Sequence, residues 1–375
     1  MKTINKNIIA LGFVSFFTDM ASSMVTTILP LFIVYTLHEG VDKLGYVVAI
    51  ATFISYAFRV LFGYLSDRYQ VVKPFVVTGY FISAITKPLL YFSSSWQSVA
   101  TLRGVERMGK SVRSATKDSL ISAYSDGKSG KTFGFHKMMD IAGELIGSLI
   151  VFALLFWLGE SEALFRNIFA MTLVPGLMAV VIALFFVQDA PYKSQQHSFN
   201  WREDYALFPP LFLYFGFIFF MFNDAFFLIK AKEVGIATVY IPLLVVVLNL
   251  TQTLLSYAIG LKIDSIGASK ILTLSFIFGL LAMASLYLNW IVLGFIFLGI
   301  FTVASLNALR AYISDHAINK GTVYGVLYGG VALFGALGAL VTGVIWKIWG
   351  EDGAILFSMV GMVVMLLIYL LVLKK

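Results

Sequence analysis

The sequence contains no cysteine and little charge. The absence of cysteine among 375 residues excludes disulfides, thiolate metal sites and thiol catalysis. Charged residues make up 13% of the chain, whereas a typical water-soluble domain has about 25%. Hydrophobic residues make up 59%, and long apolar runs recur from end to end. The composition therefore indicates an integral membrane protein.

Enzyme and receptor signatures are also missing from the sequence. It contains no Gly-x-Ser-x-Gly and no His-Glu-x-x-His. No polar segment is long enough to be the soluble output domain that a receptor normally carries. A membrane enzyme or receptor is therefore the least favoured class. The net charge of +7 is typical of positive cytoplasmic loops, so nucleic acid is not an expected partner.

Apolar segments predict twelve membrane-spanning helices, because a span needs about 20 apolar residues. A polar linker at 188–206 separates six spans from six. The predicted fold is all-α, with pseudo-symmetric six-helix bundles at 1–187 and 207–375. The predicted spans are 8–36, 44–66, 74–94, 97–123, 132–159, 163–187, 207–230, 236–261, 269–288, 290–315, 322–349 and 352–373.

Lysine and arginine are distributed unevenly between the two sets of loops. The set that includes both termini carries most of the bases, whereas acidic residues such as Glu39 and Asp352 gather in the other set. Positive loops stay in the cytoplasm, so both termini are predicted to be cytoplasmic. The first span is too long for a cleaved signal peptide, and Asp19 interrupts it. We expect a multi-pass protein of the bacterial cytoplasmic (inner) membrane.

The two predicted halves repeat short glycine patterns. Gly63 precedes Asp67 by four residues at the end of the second span, and Gly260 precedes Asp264 by four at the end of the eighth. Internal symmetry of two six-helix halves is typical of secondary transporters that rock about a central site. Two further glycine pairs, each thirteen residues apart in the fifth and eleventh spans, are Gly134 with Gly147 and Gly325 with Gly338.

A stripe of charge marks the predicted fourth span. Its seven ionisable residues fall within an arc of about 140° when 97–123 is drawn as an α-helix. Ionisable groups inside a membrane segment usually face protein or a watery cavity, and they mark function. The stripe therefore predicts a solute pathway or the gate that closes one. Its members are Arg103, Glu106, Arg107, Lys110, Arg113, Lys117 and Asp118.

With its two sets of six spans and its Gly63-x-x-x-Asp67-Arg68 loop, the chain resembles the major facilitator superfamily. The segments Ser15–Ser23 and Arg107–Asp118 are similar to a bacterial branch of that family whose substrate is poorly assigned. The resemblance covers the whole chain. It implies alternating access through a twelve-helix fold whose first span lines the cavity.

Charges at helix ends are candidates for a conformational latch. Asp67 can bond the amides at the start of a neighbouring helix, where the helix dipole favours negative charge. Arg68 follows it, Gly63 opens the same motif, and Asp264 repeats it in the second half. The alternative is a surface charge pair.

Arg103 and Arg107 are the candidates for binding substrate within the stripe. They lie nearest mid-membrane, and forked hydrogen bonds from arginine suit an anionic group. In the alternative interpretation, the stripe is an internal ion-pair network near the cytoplasmic end. Arg113 and Asp118 fit that network or a gate better, because they lie close to the headgroups.

Carboxyl groups of the first and fifth spans are candidates for proton coupling. Asp140 and Glu144 share a helix face and can neutralise arginines of the stripe, and a buried carboxylate changes protonation when its partner moves. Asp19 shares a face with Ser23 in the first span, so both are also candidate substrate contacts. Static salt bridges are the alternative. A metal site on His136, Asp140 and Glu144 is disfavoured by the neighbouring bases.

In the second half, Asn223 and Asp224 of the seventh span are comparable candidates for substrate contact, and Asn307 is a weaker one. The leading hypothesis is a secondary active transporter of a small organic anion, coupled to protons, of the siderophore or organic-acid type. The alternative is proton-driven efflux of lipophilic or cationic compounds, favoured if the carboxyl groups face the cavity. We expect lipid and a small solute as partners, a proton gradient as the driving force, no bound cofactor or metal, and a monomer.

Overall fold

The computed structural model describes residues 5–69, 71–124, 129–189, 204–318 and 320–373. Within those ranges the chain is helical and forms no strand. The predicted all-α membrane fold is confirmed. The helices are α1 Lys6–Leu31, α2 Val41–Ala57, α3 Arg59–Tyr69, α4 Lys73–Leu89, α5 Trp96–Ala123, α6 Ser129–Leu158, α7 Glu162–Met171, α8 Leu173–Phe185, α9 Phe208–Phe220, α10 Asp224–Glu233, α11 Ile241–Ile266, α12 Ala268–Tyr287, α13 Ile291–His316 and α14 Lys320–Leu373.

Nine helical stretches of the described chain are long and apolar enough to cross a membrane. The last of them contains two helices that meet at Gly350, where φ is 75° and ψ is 179°. That backbone region is open essentially to glycine alone. The predicted spans 44–66 and 97–123 correspond to α2 with α3 and to α5, which are not among the nine. The count of twelve spans stays a prediction.

The predicted span 207–230 is divided into α9 and α10. Helix α9 ends at Phe220, and Met221 has an extended backbone. Asn223 then caps α10, because its side-chain oxygen accepts a hydrogen bond of 3.0 Å from the backbone nitrogen of Ala225. An asparagine at this position satisfies an amide that the helix leaves unpaired. The structure thus gives Asn223 a local role as a helix cap.

The chain divides into two compact units. The first comprises Met1–Glu39, Ile50–Gln195 and Thr238–Leu243, and the second comprises Gly40–Ala49, Gln196–Ala237 and Leu244–Lys375. In the first unit, α1 packs along α6, α4 packs along α5, and α8 lies against α1 and α4. In the second unit, α9 packs along α14 and α12 along α13. Residues 190–203 of the predicted linker lie outside the described residues.

Glycines allow close helix packing at related places in the two units. An added Cβ at Gly143 of α6 would overlap the carbonyl oxygen of Phe16 on α1. In the second unit, a Cβ at Gly338 of α14 would overlap the carbonyl oxygen of Phe219 on α9 in the same way. Small residues at such crossings let membrane helices approach closely. The contact of the first and fifth predicted spans thus recurs between the seventh and eleventh.

Candidate functional site

A polar cavity of about 130 Å³ lies inside the first unit. One side is formed by the packed pair α4 and α5, and the other by the packed pair α1 and α6. Charged groups in membrane helices are stable where they face protein or water, and this cavity provides such a surface. Its lining residues are Ser15, Thr18, Asp19, Tyr80, Lys110, Arg113, Ser114, Lys117, Lys137, Asp140 and Glu144.

In the first part of the charge stripe on α5, two arginines share one glutamate. Glu106 Oε2 lies 2.8 Å from Arg103 Nη1 and 3.3 Å from Arg107 Nε. Arg103 is only 3% exposed and Glu106 only 1%. The two arginines predicted to hold substrate thus contact Glu106, and neither is among the residues that line the cavity. This is the geometry of the alternative, ion-pair interpretation.

The later part of the stripe faces the cavity with Lys110, Arg113 and Lys117. Arg113 is held in place by α4, because its Nη1 donates a 2.7 Å hydrogen bond to Ser83 Oγ and its guanidinium carbon lies 4.5 Å from the centre of the Tyr80 ring. Arg113, which the sequence analysis proposed as a latch or gate residue, therefore lines the cavity. Asp118 is exposed and is not among the lining residues.

The opposite side of the cavity carries the predicted proton-coupling residues. Asp19 lies on α1, and Asp140 and Glu144 lie on α6. His136 is buried beside them, with Nδ1 3.4 Å from Asp140 Oδ1 and Nε2 2.8 Å from Ser15 Oγ. The structure brings all three carboxyl groups to one cavity.

Ser15 joins three helices at the edge of this cavity. Its hydroxyl contacts His136 of α6 and accepts a 3.4 Å hydrogen bond from Lys117 Nζ of α5. Nearby, the buried Lys87 of α4 donates a 3.2 Å hydrogen bond to the carbonyl oxygen of Thr18. These bonds position α1 between the basic and acidic sides.

Opposite charges face each other here without pairing directly. In the described part of the chain, neither Asp19 nor Glu144 forms an ion pair within 4.0 Å of a base on α5. Buried charges normally require a partner, since desolvation is costly. The cavity thus presents charged groups to water or to a bound molecule.

Other predicted substrate contacts lie elsewhere. Ser23 bonds Ser148 across α1 and α6, with 2.7 Å between the hydroxyl oxygens. Asn307 of α13 donates a 3.5 Å hydrogen bond to Ser256 of α11, in the second unit. Asp224 is exposed in the first turn of α10. None of these three is among the residues that line the cavity described above.

The predicted latch residues lie towards helix ends. Gly63 is on α3, where Arg68 is exposed in the last turn. Asp264 is exposed near the end of α11. The side chain of Asp67 lies outside the described residues. The latch stays a prediction.

Several lining residues were not proposed from the sequence as binding residues. Lys110 and Lys117 carried a signal as members of the stripe, and Lys137 carried one beside His136. Tyr80 and Ser114 carried none, because a single hydroxyl in an apolar helix gives no periodic pattern. Their place is decided by the packing of α4 on α5.

This fold and this charged cavity define a multi-pass membrane transporter, and the comparisons with known proteins agree. A model of the Major Facilitator Superfamily matches residues 11–261. The chain is also 31% identical over 367 residues to an uncharacterized MFS-type transporter of Methanocaldococcus jannaschii, covering 93% of this chain and 91% of the relative. The chain belongs to the Major Facilitator Superfamily, and it is a secondary transporter, not an enzyme.

Solved structures show the same fold. A mutant of the nucleoside transporter NupG superposes with a TM-score of 0.83 at 15% identity, covering 98% of this chain and 99% of that one. A bacterial homolog of the human lysosomal transporter Spinster, in an inward-facing and occupied conformation, has a TM-score of 0.78 at 15% identity, covering 98% and 96%. At such low identity, these likenesses support the fold alone.

Proposed function

We propose that the protein transports a small organic solute, held through an anionic group, by alternating access coupled to protons. The observation that carries this proposal is the basic side of the first-unit cavity, formed by Lys110, Arg113 and Lys117. These residues are three and four positions apart on α5, so they follow one face of the helix. An anionic group between them accepts charge-assisted hydrogen bonds, which are stronger than neutral ones.

Arg113 is the central anchor of the proposed anion site. Its contacts with Ser83 and Tyr80 fix the guanidinium before a solute arrives. A group held in its bound position loses little entropy on binding. Its planar fork also suits the two oxygens of a carboxylate or phosphate. In this proposal Arg103 and Arg107 support the site by fixing Glu106 within α5.

Proton coupling follows from the carboxyl groups across the same cavity. A proton taken up by Asp19, Asp140 or Glu144 makes the cavity more positive, which strengthens anion binding. By linkage, a bound anion strengthens proton binding to the same degree. The arrangement therefore supports uptake of solute and proton together, driven by the proton gradient without a resident cofactor.

The proposal includes orientation and assembly. In this proposal the protein is a monomer in the bacterial inner membrane. Both termini lie in the cytoplasm, which the distribution of lysine and arginine favours. Reporter fusions at the C-terminus check the orientation. A reporter active only in the cytoplasm is expected to be active there, and one active only outside is expected to be silent.

A ligand screen by thermal shift tests the anion site. Purified protein in detergent is expected to be stabilised by small organic acids such as lactate, pyruvate or succinate, because binding to the folded state raises the melting temperature. The stabilisation is expected to disappear in Lys117→Met and in Arg113→Met. It is expected to persist in Lys270→Met, a matched change of an exposed base in the second unit.

Efflux of a cationic compound is the second candidate function. Three carboxyl groups line the cavity, and these are the groups that a cation would contact. Stabilisation by lipophilic cations alone, unchanged in Lys117→Met and lost in Glu144→Gln, would replace the anion proposal with this one.

A further inference from the structure

The charges of the first-unit cavity are sorted by side. The α4–α5 side carries three bases, and the α1–α6 side carries three carboxyl groups with one base among them. The bases of the first side are Lys110, Arg113 and Lys117, the carboxyl groups are Asp19, Asp140 and Glu144, and the base among them is Lys137.

The separation of these charges is built into the surrounding contacts. Ser83 and Tyr80 hold Arg113 towards α4, and His136 contacts Asp140 on the other side. Elsewhere on α5, Arg103 and Glu106 pair directly at 2.8 Å. The cavity is thus dipolar, with one basic and one acidic side.

We propose that the transported solute is a small zwitterion, which carries an amine as well as an acidic group. This inference rests on the proposed function, and it adds the second group of the same solute. The acidic group binds Arg113 and Lys117, and the ammonium binds Asp19 and Glu144. Asp140, which already contacts His136, remains to take up the coupled proton.

Charge and hydrogen bonding favour such a solute over simpler ones. An ammonium offers three donors, and an ionised carboxyl group offers acceptors alone, so the two match. An acid without an amine brings no cation to Asp19 and Glu144, whose side of the cavity has Lys137 as its one base among the lining residues. An amine without an acid brings no anion to the three bases of the other side, and buried charges are costly when they lack a close partner. Each missing partner costs binding free energy.

The volume of the cavity limits the size of the charged part of the solute. The cavity measures about 130 Å³, well below the roughly 300–1,000 Å³ of a pocket for a drug-sized ligand. Both charged groups must therefore lie close together, as in a short amino acid.

The test compares three probes of similar length on the purified protein, by calorimetric titration and thermal shift. The probes are β-alanine, propanoate and propylamine. β-Alanine is expected to bind about tenfold or more tightly than either of the others, because both of its charged groups form charge-assisted hydrogen bonds in the cavity. Glu144→Gln is expected to bring β-alanine to the level of propanoate. Lys117→Met is expected to bring it to the level of propylamine.

Matched controls and outcomes separate this inference from the proposed function. The changes Glu160→Gln and Lys270→Met, at exposed positions, are expected to leave all three affinities unchanged. Propanoate that binds as tightly as β-alanine and ignores Glu144→Gln would overturn the zwitterion and leave the anion site standing. Propylamine that equals β-alanine and ignores Lys117→Met would overturn both, as would absence of binding by all three. The comparison on the unchanged protein decides the matter even if a variant does not fold.

Discussion

At the scale of single residues, Glu106 pairs with the two arginines at the start of the charge stripe. Its carboxylate lies against Arg103 and Arg107, and it is almost fully buried. A buried ion pair adds little stability over an apolar pair, yet breaking one leaves an uncompensated charge in a medium that solvates it poorly. Glu106 is therefore a structural requirement for the arginines beside it.

Replacing Glu106 tests this requirement. Glu106→Gln is expected to lower the free energy of unfolding by about 3–5 kcal/mol, because the buried arginines lose their counter-charge. The melting temperature of the purified protein in detergent measures the effect. The control is Glu162→Gln, which removes a pair of the same 2.8 Å length whose glutamate side chain is 57% exposed, and exposed pairs contribute at most about 1 kcal/mol. Equal losses in the two variants would contradict the assignment.

The sequence predicted the stripe, but not which of its residues line the cavity and which form ion pairs with each other. The seven charges and their shared face follow from helical periodicity alone. Which of them reach the cavity depends on the rotation of α5 against α4, and on Glu106 folding back onto Arg103 three residues earlier. Neither is encoded in a local pattern. The carboxyl candidates Asp19, Asp140 and Glu144 were found separately in the first and fifth predicted spans, and it is the packing of α1 along α6 that brings them to one cavity.

At the scale of helices, packing at glycine sets the geometry around the cavity. Helix α6 lies on α1 through Gly143 and Gly147, where an added Cβ would overlap the carbonyl oxygens of Phe16 and Met20. Helices α4 and α5 meet at Gly79 and Gly109, where each added Cβ would lie within 2.7 Å of the other glycine's carbonyl oxygen. Both sides of the cavity are thus built from glycine-packed pairs.

An alanine at Gly143 tests the closeness of α1 and α6. Gly143→Ala is expected to lower the free energy of unfolding by about 1–3 kcal/mol, because the helices must move apart to admit a methyl group. The matched control is Gly260→Ala on α11, where an added Cβ has no neighbour within 4 Å. That variant is expected to keep or raise the melting temperature, since alanine favours the helix. A Gly143→Ala protein as stable as the control would contradict the packing.

The length of the apolar runs predicted that helices form, but it did not predict every position at which a helix is interrupted. The predicted break near Gly350 agrees with its backbone, because glycine followed by acidic residues marks a turn. The break before Asn223 was missed, since the surrounding run of phenylalanines is apolar throughout. An N-cap signal at Asn223 was available, but inside a long apolar run it also suits a polar group facing a cavity.

At the scale of the molecule, each compact unit takes a segment from the other half of the sequence. Residues 40–49 belong to the second unit, and 238–243 belong to the first. At Asp42, Oδ2 lies 3.1 Å from Lys347 Nζ of α14. Gly45 packs on α14 beside this pair, since its added Cβ would lie 2.7 Å from the carbonyl oxygen of Ala339. The predicted halves 1–187 and 207–375 do not describe this exchange, because it depends on contacts between distant parts of the sequence.

Acid titration tests the ion pair between Asp42 and Lys347. Burial raises the pKa of its carboxyl group, but the hydrogen bond and charge of Lys347 outweigh burial, so the pKa lies below its ordinary value of about 3.9. The stability it contributes is complete above about pH 4 and is lost as the pH falls through the folded-state pKa. Asp42→Asn is therefore expected to melt at a lower temperature than the unchanged protein at pH 7.

The difference in melting temperature between the two proteins is expected to shrink as the pH falls below about 4. The matched change Asp352→Asn, at an exposed carboxyl group, is expected to have little effect at pH 7. A gap for Asp42→Asn that stays constant down to about pH 3 would show that the ion pair does not provide the stability.

The exchanged segments also constrain the order in which the protein is made. Domains usually fold as they leave the ribosome, with the N-terminal one first. Here the first unit is incomplete until residues 238–243 have been synthesised, because Tyr240 supplies a ring 6.4 Å from Phe152 of α6. Residues 40–49 in turn wait for α14, near the end of the chain. Nascent chains halted after the sixth predicted span should therefore be incompletely folded and be degraded by membrane quality control, even when all six of their own helices have formed.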